Sequence, residues 1–233
     1  MERTAATPES EKQRRRKWIL LIAMLLSLVA LITTLFFLAR IEGWVGGRET
    51  TALLSIVDAE TPAAENENQT LAFIDDEHMI DARCVSELEE LLANCRAAGF
   101  DPRITAAYRS ASEQRELFNA VAERYREQGS DAETAKALAQ KEIELPGHSE
   151  HQLGLAVDLR DGEGEGDQGA LRLWLESHAW EYGFILRYPQ GKESVTGHAF
   201  APEHYRYVGK DAAKQISELD ITLEEYVDMF YSK

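Results

Sequence analysis

Two histidines and one aspartate in the second half of the chain have the side chains of a metal site. His151 and Asp158 lie seven residues apart in the stretch GHSEHQLGLAVDLR, and His204 follows later within HYRYV. Imidazole and carboxylate are ordinary zinc ligands, and three protein ligands with one open position are typical of catalytic zinc. The spacing therefore indicates a catalytic metal centre, although such a pair also arises by chance at a surface or in an ordinary hydrogen bond.

The sequence around Asp158 favours the metal interpretation. Gly154 and the apolar run at 155–157 argue against a helix, which places His151 on a loop. Asp158 then lies on a short buried strand, LAVDL, where its carboxylate shares a face with Ala156. A carboxylate inside an apolar strand is costly to bury unless it is paired or bound to a cation. The small residues nearby leave room for a ligand to approach.

Several blocks of the sequence carry a resemblance to a known family. SEHQLGLAVD matches the S-x-H-x-x-G-x-A-x-D signature of the VanY-like zinc D,D-carboxypeptidases, which belong with the D-Ala-D-Ala dipeptidases and L,D-carboxypeptidases of the bacterial cell wall. Other blocks agree in order and spacing, from about residue 71 to the C-terminus: AYRS at 107–110, PGHSEHQ at 146–152, YGFILRYP at 182–189, TGHAF at 196–200 and HYRYVG at 204–209. The resemblance implies an α+β fold of the Hedgehog/D,D-peptidase-like kind.

The resemblance assigns roles to individual residues. It makes three of them the ligands of a Zn²⁺ ion: His151, Asp158 and His204. It makes Arg109 the cation that binds the terminal carboxylate of the substrate or stabilises the developing oxyanion. A guanidinium suits the first role because it holds a carboxylate through two bonds, as lysine cannot. Gln114 and Ser149 match polar positions near the site, where each either contacts the substrate or serves as a cap or turn.

The proton carrier is the point at which the sequence departs from the family pattern. VanY-like enzymes carry a glutamate three residues before the last histidine, typically in E-P-W-H, whereas this chain has A-P-E-H ending at His204. Ala201 cannot accept a proton, and loss of a positioned base slows hydrolysis by about two to four orders of magnitude. Glu203 in the loop before the ligand is our candidate catalytic acid, although on a regular strand it would point away from the face of His204. Another acid, Glu150 or Glu193, is an alternative.

The first forty residues predict a membrane anchor. Residues 18–39 carry no charge and are long enough to cross a bilayer core as a helix, longer than a usual signal-peptide core, and no A-x-A cleavage site follows. The basic cluster that ends residues 1–17 keeps this tail in the cytoplasm and places everything after Arg40 outside. The expected location is the bacterial cell membrane, with a single pass and an extracytoplasmic C-terminal domain at 71–233.

The part of the chain outside the membrane is acidic. The chain has 25 basic and 41 acidic residues, of which six basic and three acidic residues fall in 1–17. The remaining residues, 18–233, therefore hold 25 − 6 = 19 basic and 41 − 3 = 38 acidic residues, a net charge of −19. This charge argues against non-specific binding to nucleic acid or to an anionic surface. Residues 40–70 lack a sustained apolar period and predict an extracytoplasmic linker, with 53–57 left open between a short strand and an extra helix.

The periodicity of residues 71–233 predicts short strands separated by helices. A capping box at Ser110 and Glu113 marks one helix start. Because the pattern does not alternate regularly between strand and helix, it favours α+β with a small antiparallel sheet. The predicted helices cover about 80–99, 111–129, 131–142 and 168–180, with two more after Gly209 and Thr222, and the predicted strands cover 103–108, 155–159, 184–188 and 204–208.

The two cysteines are predicted to be free. Cys84 and Cys95 lie eleven residues apart on one predicted helix, about 16 Å along its axis, which is beyond the reach of a disulfide.

The resemblance implies a membrane-anchored, zinc-dependent D,D-carboxypeptidase that removes the C-terminal D-alanine from peptidoglycan stem peptides. Two alternatives stay open. One is an L,D-carboxypeptidase, since no motif marks the pocket for the penultimate residue. The other, motivated by Ala201, is a muropeptide-binding or regulatory module on the same fold. An unrelated α+β domain would make five ordered motif matches a coincidence.

Overall fold

A computed structural model describes residues 52–63, 69–162 and 168–231, together with scattered helical residues between 17 and 34. The chain divides into two compact units, 1–49 and 50–233. Among the described residues, no helix is both long and apolar enough to cross a membrane. Much of the predicted anchor at 18–39 and much of the predicted linker lie outside the described residues, so both stay predictions.

A four-stranded antiparallel sheet forms the centre of the domain. Its strands, in spatial order, are β3 (Pro102–Ala106), β4 (Ala156–Asp161), β6 (His204–Tyr207) and β5 (Phe184–Leu186). All three pairings are antiparallel. The prediction of α+β with a small antiparallel sheet is therefore confirmed.

A two-stranded hairpin precedes this sheet, and the sequence analysis missed it. Its strands are β1 (Leu71–Phe73) and β2 (Met79–Asp81). Ile80, where the sequence predicted a helix to begin, is instead the fully buried middle of β2. The Asp81 side chain accepts a hydrogen bond from the backbone N–H of Arg83, which starts a 3₁₀ turn at Ala82–Cys84 before the helix proper. The apolar spacing did not reveal this strand, because Ile80 would be buried both in a helix that begins there and in a strand.

Helices form on the sequence segments where periodicity predicted them, and one short helix at Glu193–Thr196 was not predicted. The helix at Ala111–Glu127 begins at the predicted capping box, in which the Ser110 side chain accepts from the Glu113 N–H and the Glu113 carboxylate accepts from the Ser110 N–H. The described helices are α1 (Val85–Ala97), α2 (Ala111–Glu127), α3 (Ala132–Ala139), α4 (Gln168–His178), α5 (Glu193–Thr196), α6 (Lys210–Leu219) and α7 (Leu223–Tyr231).

The main core lies between α1, α4 and the sheet. Leu88 and Leu91 of α1 pack with Val157 of β4 and Leu171 of α4, and all four are almost completely buried. Both cysteines also belong to this core and are free, as predicted. The strand that carries the predicted ligand Asp158 is thus fixed by apolar contacts on its opposite face.

Part of the segment that the sequence assigns to the linker packs against the domain. Leu53 joins the main core, and Leu54 packs with the C-terminal helices. The guanidinium of Arg206 donates to the carbonyls of Leu53 and Ser55, each at 3.0 Å. Residues 52–63 are therefore held to the domain by buried side chains and by backbone hydrogen bonds.

Candidate metal centre

The three predicted metal ligands come together at one place on the sheet. One potential ligand atom from each of His151, Asp158 and His204 lies within 4.8 Å of the other two. Asp158 and His204 are directly opposite each other in the register of β4 and β6, so their side chains share a face. His151 reaches the same point from a 3₁₀ turn at Glu150–Leu153, just before β4.

Gly154 ends that turn in the left-handed conformation, with φ = 66°. A Cβ atom here would meet the Gln69 side chain at 2.8 Å and the backbone nitrogen of Asp81 at 3.1 Å. The Asp81 N–H donates to the Gly154 carbonyl at 2.8 Å. Only glycine allows the β1–β2 hairpin to lie this close to the turn that positions His151.

The ring nitrogens of the two histidines are oriented toward the Asp158 carboxylate. His151 Nδ1 lies 2.7 Å from the carbonyl oxygen of Ala107, which fixes the proton on that nitrogen and leaves Nε2 as the available ligand atom. His151 Nε2 is 3.5 Å from Asp158 Oδ2, and His204 Nδ1 is 2.9 Å from Asp158 Oδ1. Two imidazole nitrogens and one carboxylate converging in this way form a donor set suited to Zn²⁺.

The electrostatics of this cluster favour positive charge. Burial raises the pKa of the Asp158 carboxyl, but the hydrogen bonds with His151 and His204 outweigh it and hold this pKa well below its ordinary value. Burial lowers the pKa of His204, yet the hydrogen bond with Asp158 and the nearby Glu150 carboxylate raise it to about 9. His204 therefore carries a proton at neutral pH in the absence of a metal, and a bound cation would have to displace that proton, because histidine binds metals in its neutral form.

Arg109 and Gln114 form a clamp beside these ligands. Arg109 lines the same cavity as the three ligands, and its Nη1 donates to Gln114 Oε1 at 2.7 Å. Gln114 is fully buried and donates through Nε2 to the carbonyl of Glu144 at 2.6 Å. Both ends of the Gln114 amide are therefore engaged, and its place favours positioning Arg109 over contacting a substrate.

Ser149, the other predicted substrate contact, has no exposed surface. It is not among the residues that line the cavity, and its Oγ has no hydrogen-bond partner within the described part of the chain. A direct contact between Ser149 and a bound substrate would need a change in the shape of the site.

The three predicted ligands line one cavity, and His204 also lines a larger neighbouring one. The smaller, about 340 Å³, contains the three ligands and Arg109, and the larger, about 870 Å³, shares His204 and Ala201 with it. One wall of the larger cavity comes from 58–60, in the segment docked from the predicted linker. Two acids that the sequence analysis missed, Glu142 and Glu144, line both cavities. The only sequence signal for them was their place directly before the PGHSEHQ block.

The acids near the ligands differ in how they are engaged. Glu203 lines the smaller cavity, but its Oε2 accepts from Arg160 Nε at 2.7 Å. Glu142 accepts from Arg124 and Tyr125. Glu144 is 3.9 Å from His198 through a looser ion pair. Within the described part of the chain, Glu203 and Glu144 thus each have one side-chain ion pair, whereas Glu142 has two partners.

The two alternative acids lie elsewhere. Glu193 accepts from the backbone N–H of Gly191 and lies outside both sets of cavity-lining residues. Glu150 is buried behind the ligands, where its Oε1 lies 2.8 Å from Arg187 Nε and 2.8 Å from Arg206 Nη1. Burial raises the pKa of Glu150, but the two guanidinium groups hold it well below the ordinary value. A carboxylate held so firmly as an anion is a poor proton acceptor.

Comparisons with known proteins agree with this geometry. Residues 77–210 match the VanY family, described as D-alanyl-D-alanine carboxypeptidase. A D-alanyl-D-alanine carboxypeptidase of Enterococcus faecalis (strain ATCC 700802 / V583) is 34% identical over 182 residues, which cover 78% of this chain and 68% of the relative.

Two solved structures share the fold. One is a glutamate-to-alanine variant of the vancomycin resistance D,D-pentapeptidase VanY in complex with Zn(II), with 34% identity and a TM-score of 0.70 over 76% of this chain and 99% of that one. The other is VanYB in complex with D-alanine-D-alanine, with 34% identity and a TM-score of 0.71 over 76% of this chain and 98% of that one.

Proposed function

This chain belongs to the VanY family of D-alanyl-D-alanine carboxypeptidases, and from that premise we propose that it is a zinc-dependent D,D-carboxypeptidase. Its substrates are peptidoglycan stem peptides, from which it removes the C-terminal D-alanine. The observation that carries the proposal is the convergence of two imidazoles, one carboxylate and Arg109 on a single cavity. The zinc and the D-alanine-D-alanine bound by the two structural relatives support this metal and this substrate.

The residues of the cluster fit the proposed Zn²⁺. His151 offers Nε2 because its Nδ1 bonds to a backbone carbonyl, and His204 offers Nδ1, which faces Asp158. A zinc ion held there supplies Lewis-acid chemistry, since it polarises the scissile carbonyl and lowers the pKa of water.

Arg109 is placed to bind the terminal carboxylate of the substrate. One of its nitrogens is engaged by Gln114, which leaves further N–H donors for a carboxylate in the cavity. A guanidinium fixed from behind loses less conformational entropy on binding than a mobile one. The same donors lie beside the ligands, where they are also able to stabilise the negative charge that develops on the scissile carbonyl oxygen.

Glu203 is our candidate for the acid that accepts the proton of the attacking water. It precedes the ligand His204 and lines the same cavity. Its ion pair with Arg160 is no obstacle, because the Arg160 side chain is 53% exposed and such pairs contribute at most about 1 kcal/mol. Rotation of Glu203 away from Arg160 toward the substrate therefore costs little compared with the gain from base catalysis.

The remaining elements of the proposal concern location. Residues 18–39 anchor the protein in the bacterial cytoplasmic membrane, with the N-terminus inside and the catalytic domain outside, where stem peptides occur. The proposed partners are thus the membrane and stem peptides that end in D-alanine. Nucleic acid is not a proposed partner.

A second function is favoured by Ala201. This residue lines both cavities at the position where the family pattern has its glutamate, so the chain would bind muropeptides through Arg109 and the metal without cleaving them. An L,D-carboxypeptidase on the same site is a variant of the first proposal.

Release of D-alanine separates these functions. The domain, beginning before Leu53, is loaded with zinc and given a pentapeptide or a tetrapeptide muropeptide, with and without chelator. We expect chelator-sensitive release from the pentapeptide. Release from the tetrapeptide alone would assign an L,D-enzyme, and binding of both peptides with no release from either would assign the binding module. The matched control is Arg109→Lys, which keeps the charge but loses the bidentate geometry and should raise KM.

A further inference from the structure

A buried carboxylate lies directly behind one of the metal ligands. Glu150 has 2% of its surface exposed, and its Oε2 is 3.6 Å from His204 Nε2. Neither of these two atoms has a hydrogen-bond partner within the described part of the chain. They are thus two buried polar atoms that face each other slightly beyond hydrogen-bonding distance.

Two arginines fix this carboxylate in place. Arg187 and Arg206 each approach Oε1 to 2.8 Å, and both guanidiniums are buried. Arg187 is held in turn by Glu224 of α7, and Arg206 by the Leu53 carbonyl of the docked segment. Burying a charged group costs desolvation free energy, and only well-placed charged or hydrogen-bonding partners offset this cost. The network holds Oε1 and aims Oε2 at His204.

We propose that Glu150 is a positioning residue of the metal centre, which orients His204 and fixes the proton on its Nε2. His204 Nδ1 faces Asp158 and the ligand cluster, so a metal would bind there, and the ring proton must then lie on Nε2. That N–H points at Glu150 Oε2, and a contraction of about 0.7 Å from the observed separation makes a hydrogen bond.

Asp158 and Glu150 face opposite nitrogens of the His204 ring. In the structure its carboxylate is the hydrogen-bond partner of His204 Nδ1. If a cation were held at His204 Nδ1, this nitrogen would no longer bond to Asp158, and Glu150 on the other side of the ring would be the group that orients His204. Carboxylates that accept from the second nitrogen of a ligand histidine strengthen metal binding by about 10- to 100-fold.

This inference rests on the metal centre of the proposed function, but it does not rest on turnover. Metal affinity is therefore the quantity to measure. Zinc is titrated into the metal-free protein in competition with a chromophoric chelator of known affinity. A wild-type protein that binds zinc but releases no D-alanine would refute the proposed enzyme and leave this inference intact.

The test variant is Glu150→Gln, which keeps the size of the side chain and removes its charge. We expect zinc affinity to fall by about 10- to 100-fold. The matched control is Glu224→Gln, which changes another partner of Arg187 but, within the described part of the chain, makes no hydrogen bond or ion pair with His204. We expect it to lower thermal stability while leaving zinc affinity within twofold of wild type. Equal loss of affinity in both variants would show a merely structural network and overturn the proposal.

A second readout reports on the imidazole itself. In ¹⁵N-edited NMR spectra of the zinc-loaded wild type, we expect the Nε2–H proton of His204 to show the downfield shift of a proton that is hydrogen-bonded to a carboxylate. The Glu150→Asp variant keeps the charge and retracts the carboxylate by one methylene. It therefore provides a second test if the glutamine variant does not fold. Weakened zinc binding by the folded aspartate variant supports the proposal, and unchanged affinity with an unchanged His204 signal refutes it.

Discussion

Glu203→Gln is the substitution that most directly tests the proposed chemistry. If Glu203 accepts the proton of the attacking water, its loss removes a positioned base, and kcat should fall by about 10²- to 10⁴-fold. Zinc binding should persist because Glu203 is not one of the clustered ligands. The glutamine keeps the size of the side chain, so the fold should be unaffected.

The ion pair between Glu203 and Arg160 allows a second prediction, in which removal of Arg160 raises kcat. Arg160 holds Glu203 Oε2 at 2.7 Å, and its side chain is 53% exposed. An exposed pair is worth at most about 1 kcal/mol, so it reduces the population of a cavity-facing Glu203 by no more than about fivefold. Arg160→Ala should therefore raise kcat by up to about fivefold in the parent, and should have no effect once Glu203 is glutamine.

The assay is D-alanine release from a zinc-loaded domain at saturating pentapeptide, with zinc content measured in each sample. Glu142→Gln is the matched control, because it removes a carboxylate that lines the same cavity but is held by Arg124. Unchanged kcat in Glu203→Gln would refute the assignment. A collapse of kcat in Glu144→Gln instead would transfer the role to that acid.

Four further predictions concern other parts of the chain. Ala201→Glu restores the family pattern but should leave kcat in the same assay near the parent value, because Glu203 already accepts the proton; a rise of about 10²-fold or more would show that the site lacks a good base. Gln114→Ala should lower kcat/KM by about tenfold with zinc affinity unchanged, because Arg109 loses the partner that orients it; an equal loss in zinc affinity would contradict this reason. Burial raises the pKa of the Cys95 thiol to about 11, so the neutral thiol persists at high pH, and alkylation of the native protein should stay slow up to pH 9 and become rapid on unfolding. Leu54→Ala should destabilise the domain by about 2–5 kcal/mol in denaturant unfolding, whereas a flexible linker residue would cost almost nothing.

The relation between the docked segment and the catalytic domain could not be read from composition. The polar run after Thr61 reads as a linker, and the short apolar cluster before it has no clear period. The packing of this cluster depends on its backbone carbonyls, which accept hydrogen bonds from Arg206. That residue lies more than 150 residues away in the chain. A buried guanidinium needs oxygen partners, and the carbonyls of this segment supply them.

The sequence by itself determined the elements and the donor set. Apolar periodicity predicted the central strands and most helices, because a strand or helix with one buried face repeats its apolar residues at a fixed interval. The capping box at Ser110 predicted a helix start, since it acts within one turn. Residue types, motif spacing and the family resemblance predicted three metal ligands, and the structure brings their side chains together.

Only the tertiary structure decided how those residues are held. The register of β4 and β6 places Asp158 opposite His204, and no local pattern encodes that pairing. The engagement of Gln114 with Arg109, of Glu203 with Arg160 and of Glu150 with two arginines depends on which charged side chains meet. Local sequence fixes which face of an element a side chain occupies, whereas its partners come from segments that only folding brings within a few ångströms.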